Sequence, residues 1–429
     1  MENCITIEGV KAREILDSRG NPTVEVEVFL EDGTFGIASV PSGVSIGSHE
    51  ACELRDHDSK RFDGNGVLMA VQNVNEEINN MLIGSNITSQ IEIDEMLINL
   101  DNTKDKSRLG ANAILATSIA CTRAAANTLS LPLYRYLGGV NAKVLPIPMM
   151  NVLNGGTYAN NNIDCQEIMI IPIGASFSES IRMAVEIYKA LKKDLLTNEY
   201  NTNIGDEGGF APDFSSTETA IEILLKSIKN AGFEQGEDVG IALDFASSEL
   251  YLDKEYHFKG ENITRTTSDM IDYIAYLCEK YPIFSVEDGL SEDDFQGWKE
   301  LYDRIGDFVK LVGDDLFATN TERIEMGIED KLANAVLIKP NQIGTVTEAI
   351  DAASLTHKSG WSTIISHRSG DTDDSFIADL AVALNAGFIK TGAPCRSERN
   401  AKYNQLLRIE EELGFNAVYG DFKFRASMF

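Results

Sequence analysis

Residues 335–368 read AVLIKPNQIGTVTEAIDAASLTHKSGWSTIISHR and contain one complete unit of the pattern that decides the fold. The apolar run Ala335–Ile338 predicts a buried strand, Thr345–His357 predicts an amphipathic helix, and Thr363–Ile365 predicts the next strand. A strand, a helix and a second strand in this order are typical of a parallel sheet, in which the helix forms the crossover.

The same alternation recurs on both sides of this unit. Further strand-like runs are Val239–Leu243, Ile283–Val286, Val309–Val312 and Phe388–Ile389, and further helix-like segments are Ser268–Lys280, Thr321–Leu332 and Ser375–Ala386. Two more strand-like segments, Leu145–Val152 and Ile168–Pro172, precede the series. The number of units predicts a closed β/α barrel of the α/β class. An open doubly wound sheet is the alternative, although no glycine-rich phosphate-binding motif follows an early strand.

The beginning of the chain has a different pattern of apolar and polar residues. Thr23–Val28 alternates apolar and polar residues, and Phe35–Val40 follows after a turn, which predicts a β-hairpin. Ala111–Leu131 is rich in helix-forming residues and ends at Pro132. We therefore predict a small α+β domain over residues 1–138 and a barrel domain over residues 139–429.

Composition and charge exclude several classes of partner. The 429 residues carry a net charge of −30, and a field of that sign repels nucleic acid and anionic lipid. No apolar run approaches the ~18 residues that a membrane-spanning helix needs. The six cysteines have no paired spacing, which favours reduced thiols and a cytoplasmic protein. An additional presence at the cell surface or outside the cell stays open.

Chemically active side chains stand at the ends of the predicted strands. A single polar residue there is usually a turn former or a helix cap, but lysine is not a turn residue and the placement repeats. Because the carboxyl ends of barrel strands converge on one face, these side chains should share a cavity. They are Asp244, Glu287, Asp314, Lys339, His367, Arg368 and Lys390.

The residue types predict the chemistry of this cavity. Asp244, Glu287 and Asp314 offer three hard oxygen ligands, which suit Mg²⁺. A lysine beside a dication has a lowered pKa and can act as a base, while Arg368 presents a planar fork for a phosphate. A metal, a lysine base and an anion-binding arginine together indicate proton abstraction next to a carboxylate.

Three glycine-containing loops add to the prediction. Gly205-Asp206-Glu207-Gly208-Gly209 places two acids in a turn, and Glu207 could act as the general acid opposite the lysine. Gln166-Glu167 follows the polar loop 154–160. Residues 41–47, Pro-Ser-Gly-Val-Ser-Ile-Gly, could form a mobile lid that excludes water. Taken singly, such glycine-rich stretches are more often structural turns.

Together these residues carry a resemblance to the enolase family over nearly the whole chain. The strings that resemble it are Ile15–Thr23, Gly110–Leu115, Pro148–Asn151, Gly205–Pro212, Ser366–Gly370 and Arg396–Arg399. The resemblance implies an irregular TIM-type barrel that begins with two strands and two helices. It also implies a lyase, phosphopyruvate hydratase (EC 4.2.1.11), that interconverts 2-phosphoglycerate and phosphoenolpyruvate in glycolysis and gluconeogenesis. Two Mg²⁺ per active site and a homo-oligomer, dimer or octamer, are implied as well.

The resemblance also implies a role for individual residues. Lys339 matches the base at carbon 2, and Glu207, with Glu167 close by, matches the acid that assists loss of the hydroxyl at carbon 3. The first Mg²⁺ would be held by Asp244, Glu287 and Asp314, and the second by Ser45. The expected substrate contacts are Tyr158, Gln166, Glu167, Glu287, Asp314, Ser366, His367, Arg368, Ser369 and Lys390.

Two departures from the family pattern fall on loops. Val44 and Ile46 replace a smaller residue and a threonine in the lid, and Tyr158 replaces a histidine, so a neutral phenol stands where a positive charge is possible. Two alternatives to a working enolase therefore stay open. One is a paralogue with reduced activity, inhibitor resistance or a different phosphorylated or phosphonate acid as substrate. The other is a non-catalytic binding protein, which the retained carboxylates and lysines argue against.

Overall fold

The computed structural model describes residues 5–43 and 47–420. Its strands are β1 Ile7–Leu16, β2 Pro22–Leu30, β3 Phe35–Ser39, β4 Val144–Leu145, β5 Ile147–Asn154, β6 Glu167–Pro172, β7 Val239–Asp244, β8 Tyr251–Leu252, β9 Glu255–Phe258, β10 Ile263–Arg265, β11 Ile283–Glu287, β12 Lys310–Gly313, β13 Ala335–Ile338, β14 Ser362–Ser366, β15 Phe388–Lys390 and β16 Val418–Tyr419.

The helices alternate with these strands over most of the chain. They are α1 Leu68–Asn73, α2 Asn79–Leu82, α3 Gln90–Asp101, α4 Ala111–Thr128, α5 Leu133–Gly138, α6 Phe177–Thr197, α7 Thr217–Asn230, α8 Ser247–Leu250, α9 Thr267–Lys280, α10 Phe295–Ile305, α11 Thr321–Asp330, α12 Pro340–Ile343, α13 Val346–Lys358, α14 Phe376–Ala383 and α15 Ser397–Leu413.

The N-terminal part is an antiparallel sheet of order β1-β2-β3 covered by helices. The pairing of β2 with β3 confirms the predicted hairpin, whereas β1 was not identified from the sequence pattern. Helix α4 crosses this sheet so closely at Gly36 that a Cβ there would lie 2.3 Å from the carbonyl oxygen of Ala120. A glycine is therefore required at the crossing, and the close contact buries almost the whole length of α4.

The second part is a closed eight-stranded barrel of order β11-β12-β13-β14-β15-β5-β6-β7. Closure confirms the predicted barrel and excludes the open doubly wound sheet. The expectation of a purely parallel sheet is wrong at one strand, because β6 runs antiparallel to both β5 and β7. The segment between β5 and β6 contains no crossover helix, so the chain turns back and β6 runs in the opposite direction.

The order of elements at the beginning of the barrel agrees with the irregular start that the resemblance implies. Two strands, β5 and β6, are followed by two helices, α6 and α7, before β7 resumes the regular alternation. Ser176 caps α6 by accepting a hydrogen bond from the backbone N–H of Glu179 at 3.1 Å, so the helix begins at Phe177.

The interior of the barrel is filled with apolar side chains. A separate cluster of buried residues lines it, including Met149, Met169, Ala242, Phe284 and Leu337. Because the interior is packed, a ligand can reach the barrel only at the ends of the strands.

Two further observations concern cysteines and helices. The described cysteines, which are Cys52, Cys121, Cys165, Cys278 and Cys395, are free thiols, in agreement with the prediction. Among the residues described, no helix combines the length and apolar character needed to cross a lipid bilayer.

Candidate active site

The carboxyl ends of the barrel strands carry the ionisable side chains that the strand pattern predicts. Asp244, Glu287 and Lys390 are the last residues of β7, β11 and β15. Asp314 and Lys339 directly follow β12 and β13. All five residues are buried, so their charges are held away from water and must be matched within the protein.

Lys390 is the centre of this group. Its Nζ atom lies 3.1 Å from Oδ2 of Asp244, 2.8 Å from Oε1 of Glu287 and 3.0 Å from Oε1 of Glu167. Burial alone would lower the pKa of Lys390, but the surrounding carboxylates raise it well above its usual value. Lys390 is therefore an ammonium group that draws three carboxylates from three strands into one cavity.

Lys339 forms a second ion pair beside the first. Its Nζ atom contacts Oδ2 of Asp314, whose Oδ1 accepts a hydrogen bond from the side chain of Gln342 at 2.8 Å. The backbone N–H of Lys339 donates to Oγ1 of Thr319 at 2.9 Å, which fixes the chain where it leaves β13. Burial lowers the pKa of Lys339, Asp314 raises it, and the net effect is a raised pKa.

The carboxylates of this cavity fit a hard divalent cation. Oε2 of Glu287 and Oε2 of Glu167 are buried and have no hydrogen-bond partner within the described part of the chain. Burial, reinforced by Asp244, raises the pKa of Glu287 well above its usual value, which shows how poorly its charge is matched here. Unmatched buried carboxylate oxygens are the ligands that Mg²⁺ prefers.

A tighter acidic group lies next to the predicted ligands. Ligand oxygens of Asp288, Asp314 and Asp315 all lie within 4.8 Å of one another, which is not so for the predicted set of Asp244, Glu287 and Asp314. Asp288 accepts hydrogen bonds from the backbone N–H groups of Asp314 and Asp315, each at 2.9 Å. Asp288 and Asp315 were missed in the sequence, where only the doubled acids Glu287-Asp288 and Asp314-Asp315 indicate them.

Glu207 is close enough to Lys390 to feel its charge and is held by two polar side chains. Asn151 donates a hydrogen bond from Nδ2 to Oε2 of Glu207 at 3.0 Å, and Nε2 of His367 lies 3.3 Å from Oε1. Burial alone would raise the pKa of Glu207, but His367, Arg399 and Lys390 hold it well below its usual value. Glu207 is accordingly a carboxylate in this arrangement.

Glu167 faces Glu207, and its pKa is shifted in the opposite direction. Burial, followed by repulsion from Glu207, raises the pKa of Glu167 well above its usual value despite the attraction of Lys390. Two facing carboxyl groups whose pKa values are pushed apart are a common arrangement for acid–base chemistry.

Arg368 approaches the cavity from the loop after β14. Its Nη1 atom lies 2.6 Å from Oε2 of Glu50, and its Nη2 donates to Oε1 of the same residue at 3.1 Å. The two flat groups therefore meet in a forked pair, and both side chains are buried. Glu50 was not predicted as a site residue.

The last residue of β14 and the other predicted residues after it are buried in the same wall. Ser366 donates from Oγ to the carbonyl oxygen of His367 at 3.0 Å. The carbonyl oxygen of Ser369 accepts a hydrogen bond from Oγ of Ser18 at 3.3 Å and another from Arg399. These bonds join the wall to the N-terminal part and to α15.

The loop before β6 carries the two other predicted contacts. Gln166 accepts a hydrogen bond at Oε1 from Oγ1 of Thr157 at 2.6 Å. Burial raises the pKa of the Tyr158 phenol well above its usual value, and the charges of Glu207 and Glu167 raise it further. Tyr158 is therefore a neutral group close to the acid pair.

The lid residues Val44, Ser45 and Ile46 lie outside the described residues, so the predicted ligand Ser45 cannot be placed. The residues on either side are attached to the barrel. Ser42 exchanges two backbone hydrogen bonds with Gly370, at 2.7 and 2.9 Å, and Ser48 donates from Oγ to Oε1 of Glu292 at 2.8 Å.

The fold and the site together define a protein of the α/β-barrel class with buried carboxylates and lysines at the strand ends. Comparison with protein families supports this class and refines it. Residues 7–137 match the family model described as "Enolase, N-terminal domain", and residues 142–428 match "Enolase, C-terminal TIM barrel domain". The chain belongs to the enolase family, and the membership supports a lyase of the enolase superfamily. Mg²⁺ is the general cofactor of this family, and the acidic groups described above could hold it.

Proposed function

We propose that the chain is a phosphopyruvate hydratase, which reversibly dehydrates 2-phospho-D-glycerate to phosphoenolpyruvate in glycolysis and gluconeogenesis. One observation carries the proposal: two buried lysines and an opposed pair of carboxyl groups meet at one mouth of the barrel. Removal of a proton from carbon 2 and loss of a hydroxyl from carbon 3 need a base on one side and an acid on the other.

Lys339 is the base in this proposal. It must lose its proton before it can accept one from carbon 2, and Asp314 is the group that raises its pKa. An Mg²⁺ held by Asp314 would compete with the ammonium group for the charge of that carboxylate and would itself repel the ammonium form. Burial, which lowers the pKa of a lysine, would then be opposed less.

Glu207 and Glu167 act on the opposite side. Together they would deliver a proton to the departing hydroxyl group, which leaves as water. Asn151 and His367 position Glu207, while Lys390 positions Glu167. In the reverse direction the same pair accepts the proton from water.

The remaining predicted contacts would bind and orient the substrate. Arg368 and Lys390 supply positive charge for its phosphate and carboxylate, and Tyr158 supplies a neutral hydroxyl. The other proposed contacts are Gln166, Ser366, His367 and Ser369.

The proposed metal ligands are those that the family resemblance implies. Asp244, Glu287 and Asp314 would hold a first Mg²⁺ and Ser45 a second. Bound Mg²⁺ would neutralise the negative charge that develops on the substrate carboxylate as the proton leaves carbon 2.

Steady-state turnover of 2-phosphoglycerate with Mg²⁺, followed by the ultraviolet absorbance of phosphoenolpyruvate, tests the proposal. We expect saturable turnover that a chelator abolishes and added Mg²⁺ restores. Absence of turnover at saturating substrate and Mg²⁺, with the protein shown to be folded, would overturn it.

A second candidate is favoured by Tyr158, whose neutral phenol lies beside the acid pair. A paralogue with a changed loop could prefer another phosphorylated acid, or a phosphonate. Comparison of kcat/KM for 2-phosphoglycerate and for its phosphonate analogue in the same preparation separates the two candidates. A higher value for the phosphonate would favour the second.

We further propose that the protein is a cytoplasmic homo-oligomer. The boundary between its two domains is proposed to lie at residue 138. Size-exclusion chromatography with light scattering measures the subunit number directly.

A further inference from the structure

Arg399 is a fully buried arginine that the strand pattern did not indicate. It lies in the first turn of α15, and its guanidinium group donates to three backbone carbonyl groups in two separate loops of the barrel. Nη1 donates to the carbonyl oxygen of Arg368 at 2.5 Å, and Nη2 donates to the carbonyl oxygens of Asp206 and Ser369. Arg399 therefore ties the loop that carries Glu207 to the loop that carries His367.

The side chain of Arg399 passes close to the backbone of Gly392 on its way to these loops. Its methylene groups pass Gly392, where a Cβ would lie 2.8 Å from Cδ of Arg399 and 2.8 Å from the carbonyl oxygen of Glu207. The backbone N–H of Ala393 donates to that same carbonyl at 2.9 Å. The position of the guanidinium group relative to Glu207 and His367 is thus set by packing as well as by hydrogen bonds.

The contact between Arg399 and His367 determines where the imidazole proton lies. Nη1 of Arg399 is 2.6 Å from Nδ1 of His367. Arginine has only donors and does not lose its proton in proteins, so Nδ1 must be the acceptor. A neutral imidazole whose Nδ1 accepts carries its proton on Nε2.

The Nε2 atom of His367 points toward the cavity. It lies 3.3 Å from Oε1 of Glu207 and makes no well-aligned hydrogen bond within the part of the chain that the structure describes. Its side chain is only 1% exposed. A buried N–H that is not fully matched is available to Glu207 and to an oxygen of a bound ligand.

We propose that Arg399 is a positioning residue that locks His367 as the neutral Nε2–H tautomer, so that His367 acts only as a hydrogen-bond donor and never as a base. The acceptor of this N–H is an oxygen of the substrate or the carboxylate of Glu207, and the choice between them rests on the proposed function. The tautomer itself rests only on the contacts of Arg399.

The surroundings of His367 support a neutral ring. Burial, aided by the charge of Arg399 and opposed by Glu207, lowers the pKa of His367 to about 4. Asp371 also favours the charged ring, but Lys402 pairs with Asp371 at 2.8 Å. An imidazolium would also direct an N–H of Nδ1 against the N–H of Arg399, which is repulsive.

Nitrogen NMR of the full-length protein labelled with [¹⁵N]histidine tests the proposal without any assay of turnover. The chain has five histidines, and the His367→Gln variant identifies the signals of His367 by their loss. Between pH 6 and 8 we expect a protonated Nε2 and an unprotonated Nδ1. A protonated Nδ1, an imidazolium or an even mixture of tautomers in the wild-type protein would overturn the proposal.

A variant pair then tests the part played by Arg399. In Arg399→Met the donor is lost and His367 should populate both tautomers, while kcat should fall more than KM changes. The matched control is Arg265→Met, which removes another buried arginine, the partner of Glu261 at 3.2 Å, and should leave the tautomer unchanged. An unchanged tautomer in folded Arg399→Met would contradict the positioning role. If Arg399→Met does not fold, the wild-type spectrum still decides the tautomer.

The two proposals fail in different ways. A locked tautomer without turnover of 2-phosphoglycerate would refute the proposed function and leave the role of Arg399 intact. Turnover of 2-phosphoglycerate without a locked tautomer would refute the role of Arg399 and leave the proposed function intact.

Discussion

Arg368 and Glu50 form a buried forked salt bridge between the barrel and the segment that follows the lid loop, with Nη1 of Arg368 2.6 Å from Oε2 of Glu50. Glu50 also accepts a hydrogen bond at Oε1 from the backbone N–H of Gly47, at the end of the lid. The pair therefore links the proposed anion-binding arginine to the segment that would close over the substrate.

Replacement of Glu50 by glutamine should strongly destabilise the protein. Removal of one member of a buried ion pair leaves the other charge unmatched, which typically costs about 3 kcal/mol or more. Urea denaturation measures the change in the free energy of unfolding. The matched control is Glu77→Gln, which breaks the exposed pair with Arg108 and should cost no more than about 1 kcal/mol. Equal losses in the two variants would contradict the structural role of the Glu50 pair.

Replacement of Lys339 by alanine should abolish exchange of the proton at carbon 2 of the substrate. Loss of a general base typically reduces the rate by about 100-fold or more. Proton exchange of 2-phosphoglycerate in deuterated water, followed by NMR, measures this step apart from dehydration. Lys310→Ala is the control, because Lys310 begins β12 at the opposite end of the barrel. Persistent exchange in Lys339→Ala would exclude Lys339 as the base.

Replacement of Tyr158 by histidine should raise kcat/KM for 2-phosphoglycerate, most clearly below pH 6.5. A histidine can become positively charged near the phosphate, whereas the raised pKa of the Tyr158 phenol keeps it neutral at any ordinary pH. Tyr158→Phe removes only the hydroxyl and serves as the control. If neither variant changes kcat/KM, the tyrosine at position 158 in place of the family's histidine has no influence on catalysis.

Replacement of Glu287 by glutamine should weaken the response of the protein to Mg²⁺. Binding of a ligand to the folded state alone stabilises it by about 2.7 kcal/mol at 100 times the Kd. Thermal unfolding with Mg²⁺ and with a chelator measures this difference in wild type and variant. The control is Glu255→Gln, an exposed residue of β9, which should respond like the wild-type protein. A full Mg²⁺ response in Glu287→Gln would argue against Glu287 as a ligand.

The buried His367 should make the protein less stable as the pH falls from about 6.5 toward 4. Burial lowers its pKa to about 4 in the folded protein, against 6.5 in the unfolded chain. Between these values the unfolded state binds more protons, so the stabilisation present above pH 6.5 is progressively lost. Denaturation at pH 7 and pH 5 should therefore show a larger difference for wild type than for His367→Gln. His257→Gln, in the β9 strand, is the control and should retain the wild-type difference.

We expected the functional side chains at the carboxyl ends of the barrel strands. This expectation explains both which site residues could be predicted from the sequence and which could not. It located Asp244, Glu287, Asp314, Lys339 and Lys390, because these residues end or follow parallel strands of the barrel. It could not locate Glu167, which begins β6. Since β6 runs antiparallel, its first residue lies beside Asp244 at the same mouth of the barrel. Glu167 was indicated instead by its position after the polar loop 154–160 and by the family resemblance.

The sequence by itself determined the barrel and the residues at its mouth. Hydrophobic periodicity reports local structure, and the geometry of a barrel then brings the strand ends together whatever the details of packing. The tertiary structure alone decided the pairings among the polar groups. The contacts of Arg368 with Glu50, of Lys390 with three carboxylates and of Arg399 with His367 join segments far apart in the sequence. Which buried donor meets which acceptor depends on how those segments pack, and no local pattern of residues records it.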